Sequence, residues 1–177
     1  MVSPLPLGEG STKMFGLGTK AVAPRAIAFA STLVMSLAIV GSSSKFKERR
    51  QRYFADAASN GSVMRMQMLQ IAGANVNAVG ANQSPLLLAA GEGKLRAVRY
   101  LLDEGADVNA SINGNTALTE AAFYGHLPVA KELLVRGANA NTITTNGTAL
   151  DIAVKRNDGG LIDVLKHYGA KQASEIR

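Results

Sequence analysis

The side chains best suited to chemistry in this 177-residue chain are few and far apart. His126 and His167 are its two histidines, and neither stands near a cluster of carboxylates. Asp107 and Asn109, within the stretch Gly105-Ala106-Asp107-Val108-Asn109-Ala110, have the look of oxygen ligands for a metal. The same stretch recurs from Gly73 and from Gly137, with Asn75 and Asn139 in place of Asp107. Hydrogen bonds that shape a turn explain that exchange better than a cation would. The chain has no cysteine, which excludes disulfides, thiolate metal sites and a cysteine nucleophile. Its repeated glycines lie 32 residues apart, so they do not form a phosphate-binding loop. No Ser/His/Asp set is suggested. The expectation is a protein without a catalytic centre, a small-molecule substrate, a metal or another cofactor.

The net charge of +6 would suggest nucleic acid if it were spread over the chain. It is not. Residues 1–52 carry eight basic residues against two acidic ones, and residues 53–177 carry eleven of each. The balanced part has no net field to draw in a phosphate backbone, so no nucleic-acid partner is expected.

The elements that position everything else begin after an unusual N-terminal third. Residues 1–20 are rich in Pro, Gly and Ser and read as disordered. Met1 and Met14 are both candidate starts. From Ala26 to Gly41 runs an uncharged apolar stretch with two hydroxyls, which as a helix is about 24 Å long. With Ser42–Ser44 it approaches the roughly 30 Å of a hydrocarbon core. It has no amphipathic stripe, and no partner of similar character is evident downstream. Directly after it comes Lys45-Phe46-Lys47-Glu48-Arg49-Arg50-Gln51-Arg52, a dense basic cluster of the kind that stays on the cytoplasmic side of an inserted helix. Residues 21–44 are therefore expected to anchor the chain in a membrane through 26–44, with the remainder cytoplasmic. The alternative is a cleaved signal and a periplasmic or secreted domain. The basic stretch 45–51 has two readings, contact with anionic headgroups or a solvated linker.

The rest of the chain repeats. Gly73, Gly105, Gly137 and Gly169 are spaced by 32, as are Ser84, Thr116 and Thr148, and also Gly61, Gly93 and Gly125. Each unit opens on a hydroxyl suited to cap a helix, and Pro85 fits a first helical position. Thr148 with Asp151 resembles a capping box. A short apolar helix follows and stops at the Gly61, Gly93 or Gly125 position. A second, amphipathic helix then ends at the glycine of the Gly-Ala pair, a left-handed position that glycine fills without steric penalty. Paired alanines at 57–58, 89–90 and 121–122 let neighbouring helices approach. Leu86, Leu88, Val98, Leu101, Leu102, Leu118, Leu133 and Leu134 are expected to fill the space between units, because no unit can bury its apolar face alone.

The stretches Ser84-Pro85-Leu86 to Gly93, Thr116-Ala117-Leu118 to Gly125-His126 and Gly105 to Ala110 resemble ankyrin repeats over about residues 52–171. The resemblance implies an all-α solenoid of about four helix pairs, two regular and two terminal caps, with a separate apolar helix before them and a tail at 172–177. It also implies that the chain binds a protein partner. Leu87, Thr119 and Asp151 stand where the family has a histidine, so the bonds of that histidine must be replaced or lost. The fourth unit has Arg156-Asn157-Asp158 where Gly-His is expected. The first unit puts Asp56 where an interior leucine belongs, as a polar cap would, and His167 is expected in solvent on the last. His126 is expected to serve the turn between two helices.

Function in such a stack falls on residues that the stack itself does not need. Gln83, Asn113, Asn115 and Asn146 lie at uncharged loop tips, where turn formation is the competing explanation. Phe123 and Tyr124 stand at positions that are not aromatic in the other units. The family's geometry turns these positions to the concave face, where two aromatics make an interface hot spot unless one of them packs on a neighbouring repeat. Glu120, on the same helix, offers a charged contact or simply faces solvent.

Overall fold

The computed structural model describes residues 44–79 and 84–176. The expected disordered stretch, both candidate starts and the apolar run 26–41 lie outside these residues, as do Asn82 and Gln83. Among the described residues no helix is long and apolar enough to cross a membrane.

Eight α-helices are described, and they pair in chain order. The first pair is α1 (Ser44–Ser59) and α2 (Val63–Ile71), the second α3 (Pro85–Gly91) and α4 (Leu95–Asp103). The third is α5 (Ala117–Tyr124) and α6 (Leu127–Val135), the fourth α7 (Ala149–Lys155) and α8 (Gly159–His167). Inner helices α1, α3, α5 and α7 pack on one another in sequence, and each outer helix packs on its own inner one. A two-stranded hairpin, β1 (Ser111–Ile112) with β2 (Asn115–Thr116), precedes the third pair. The architecture is the expected all-α stack with small hairpins between units. The basic stretch 45–51, one reading of which was a linker, is the first part of α1.

The repeated hydroxyls start the helices. Ser84 Oγ accepts from the Leu87 N–H at 3.2 Å, and Thr116 and Thr148 accept from Thr119 and Asp151 at 3.3 Å. Two of these caps are reciprocal. Thr119 Oγ1 accepts the Thr116 N–H at 2.9 Å, and the Asp151 carboxylate accepts the Thr148 N–H at 2.9 Å. These bonds fill the place of the absent histidine in the third and fourth units; Leu87 offers none in the second. Burial pushes the Asp151 carboxyl up. The N–H groups of Thr148 and Ala173, together with the Thr148 hydroxyl, outweigh this and hold it below the ordinary value.

The turn between the helices of a pair needs a left-handed residue. Gly93 has φ +67°, and a Cβ there would meet the His126 ring at 2.7 Å, so its bare backbone serves both conformation and space. In the fourth unit Asn157 takes this place at φ +56°, a conformation asparagine tolerates. Asp158 then caps α8 by accepting from the Leu161 N–H at 3.1 Å.

The units are joined through the stretch that repeats most. Asp107 Oδ1 accepts the Asn109 N–H at 2.9 Å, the local turn expected. Asn109 does more: it accepts from the Asn139 N–H at 2.8 Å and donates to the Gly137 carbonyl at 3.3 Å, both in the next unit. Asn77 and Asn141 make the same pair of bonds, to Asp107 and Gly105 and to Lys171 and Gly169. Among the described residues nothing precedes Asn75 in this ladder, and Gln51 of α1 substitutes, accepting the Asn75 N–H at 3.0 Å and donating to its carbonyl at 2.7 Å.

Between the units lie Phe54, Met66, Leu86, Val98, Leu101, Leu118, Leu133, Leu161 and Leu165, all essentially inaccessible, with the paired alanines among them. Leu88 and Leu102, expected inside, are half-buried. Asp56 is exposed, as a polar cap residue would be; in the same place Leu88 and Glu120 are half-buried and Ile152 is buried. Outer helices α4 and α6 are bridged by Arg99–Glu132 at 2.8 Å and Arg136–Asp103 at 2.7 Å.

Candidate binding groove

Phe123 and Tyr124 end α5, where the helix stops at left-handed Gly125. They are 49% and 54% exposed, in a chain whose other large apolar residues in the same units are mostly enclosed. Their rings meet edge to face with centroids 5.1 Å apart. Tyr124 lies nearly parallel to the His126 ring at 6.3 Å and passes close to Gly91 of the preceding unit. His126 is no ligand here: its Nε2 is 2.9 Å from the Gly91 carbonyl oxygen, a bond between units rather than within the expected turn. His167 is exposed, edge to face with Tyr168.

The aromatic pair lines a groove of about 190 Å³ together with Asn115, Thr119, Glu120, Asn146 and Ile152. A second hollow of about 270 Å³ shares Phe123, Tyr124, Asn146 and Ile152 and adds Lys155 and Arg156. The groove thus runs between the third and fourth inner helices, beneath two loop tips. Asn115 is half-buried and donates from Nδ2 to Glu120 Oε1 at 3.0 Å, which holds the carboxylate at one end. At the other end Arg156 Nη1 donates to the Phe123 carbonyl at 2.6 Å and Lys155 Nζ to the Asn146 carbonyl at 3.3 Å. Neither cation, nor Glu120, has an ion-pair partner among the described residues. One wall is therefore acidic, the floor aromatic and the other wall basic.

The expected site residues separate cleanly. Asn115, Glu120, Phe123, Tyr124 and Asn146 come together here. Asn113 does not: it sits with Gly114 at the hairpin tip, at φ +53° and +80°, where two left-handed residues in a row make the turn that matches strand twist. Gln83 lies outside the described residues. Sequence reasoning passed over Lys155 and Arg156, although they stand 32 residues after Phe123 and Tyr124 and so repeat the aromatic positions in the next unit.

With four helix pairs joined at a 32-residue period, one comparison decides the family. The pattern that defines ankyrin repeats, in three copies, matches residues 54–144. The chain belongs to the ankyrin repeat family. The fourth ankyrin-like pair, α7 and α8, falls beyond that match but packs on the third as the others do. Among curated proteins none matches the chain. In ankyrin terms, the groove lies between the inner helices of the third and fourth repeats, at the base of the fingers.

Proposed function

We propose that this ankyrin-repeat chain is a protein-interaction module that seats a segment of its partner in the groove between the third and fourth repeats. The exposed Phe123–Tyr124 pair carries the reading. Two aromatics half open to water at the floor of a groove supply the large apolar area that dominates interface energetics, while most other groove atoms are already engaged in shaping it. The role is one of binding rather than catalysis. Replacing both Phe123 and Tyr124 by alanine in the full chain tests it. The partner captured from native membranes is expected to be lost by at least tenfold, with the unfolding transition unchanged because both rings are half exposed. Undiminished capture would reject this groove.

The uncharged run 26–41 directly before a basic helix supports attachment to a membrane, with the repeats on the cytoplasmic side. The alternative, removal of the run as a signal, leaves a mature chain that starts near Ser42. The mass of the native chain separates the two.

A further inference from the structure

The first repeat ends the stack differently from all the others. Tyr53 of α1 takes the place that Pro85, Ala117 and Ala149 take in the following repeats. Those three are buried, whereas Tyr53 is 55% exposed. On α2, Met64, Met68 and Ile71 are exposed and share one side of the helix at spacings of four and three. The counterparts of Met68 point backwards along the stack: the Tyr100 hydroxyl donates to Gln70, and Glu132 accepts from Arg99. Met68 thus lies on the surface that a preceding repeat would cover, while Met64 and Ile71 flank it on the outer side of α2, where their counterparts Arg96, Pro128, Asp103 and Val135 are exposed as well. Phe46 extends it along α1, in line with Arg49 and Tyr53.

The same repeat holds the charge. Residues 44–73 carry Lys45, Lys47, Arg49, Arg50, Arg52 and Arg65 against Glu48 and Asp56, while residues 74–176 carry nine basic and ten acidic residues. Arg50 is half-buried with its Nε unpaired among the described residues, and the other five cations are exposed. A second copy meeting this face through its own would bring two such clusters together. The far end of the stack offers a smaller apolar match, because α7 and the end of α8 expose only Val154 and Tyr168 there, among Asp163, Lys166 and His167.

We propose that the N-terminal end of the stack, the end-face residues Tyr53 and Met68 with the adjoining Met64 and Ile71, rimmed by the α1 cations, docks on an anionic lipid surface. Apolar side chains enter the boundary between headgroups and acyl chains, and Lys and Arg meet the phosphates. The contact uses the folded repeat and does not require residues 26–41 to insert.

The chain has no cysteine, so Met68→Cys can be labelled at a single thiol with an environment-sensitive dye, and Lys166→Cys reports on the opposite end. With the full chain, vesicles of phosphatidylcholine and phosphatidylserine should shift emission to the blue at position 68 and leave position 166 unchanged. Pure phosphatidylcholine should do far less. Adding Lys47→Gln and Arg49→Gln should raise the lipid needed for the half-maximal shift roughly thirtyfold, about fivefold for each cation at about 1 kcal/mol. A chain that sediments with the vesicles while position 68 stays unshifted would overturn the docking and leave only a tether. A shift at position 68 that follows chain concentration without lipid would overturn it in favour of a second copy.

Discussion

Tyr53 in the first repeat and Ala149 in the last fill the same place, yet one is 55% exposed and the other 1%. At the C-terminal end, Val154 and Tyr168 are exposed among the polar residues of α8, and the tail is tied back. The Thr148 hydroxyl donates to the Lys171 carbonyl at 2.9 Å, and the Ala173 N–H donates to Asp151 at 3.0 Å. At the N-terminal end, Gln51 closes the hydrogen-bond ladder but nothing described covers Tyr53 and Met68. Backbone satisfaction and apolar coverage are therefore separable in a repeat stack. A terminal unit can complete its hydrogen bonds from its own side chains, but an apolar face is covered only by another surface.

The contrast is broken most directly by truncating apolar residues along the stack. Leu101→Ala, wholly enclosed between repeats, should cost about 2–5 kcal/mol in denaturant unfolding, whereas Met68→Ala at the open end should stay within about 0.5 kcal/mol. Comparable losses would mean that the end face is covered within the chain itself. A smaller effect sharpens the other end. Thr148→Val removes a cap and the tie to Lys171, and should cost about 1–2 kcal/mol while hydrogen exchange at the Ala173 amide accelerates. An unchanged exchange rate there would detach the tail from the cap.

The smallest effect is one of pH. Asp151 is held below its ordinary value in the folded chain, so its contribution is complete above the normal carboxylate range. It is lost as pH falls through the lowered value. Asp151→Asn should therefore flatten the acid limb of stability below about pH 4 and leave the curve above it parallel to the original. An acid limb of undiminished slope would assign that loss to other carboxylates.

Much of this was legible in residues alone. The 32-residue period placed the helix stops, and the hydroxyl ladder placed three caps that the structure shows bonded as expected. The reciprocal Thr116–Thr119 cap was not read, because threonine is an unusual third residue in that motif. The Gly61, Gly93, Gly125 ladder has its fourth rung at Asn157, visible once the substitution of asparagine for glycine in a left-handed place is allowed. Within the groove, Asn115, Glu120, Phe123, Tyr124 and Asn146 were all singled out. Lys155 and Arg156, at the non-aromatic counterparts of Phe123 and Tyr124, were passed over, though their charge is what gives the groove its second wall.

Local conformational preference is a property of a few neighbouring residues, so the sequence by itself determined the helix pairs, their caps, the left-handed stops and the fact that units stack. Coverage is a property of pairs of surfaces. Only the tertiary structure decided that Asn109 staples the next repeat, that residues 31 positions apart share one groove, and that the two ends differ. Tyr53 and Ala149 obey the same local rules. What separates them is whether another described unit lies on the preceding side, and no window of sequence around either residue contains that information.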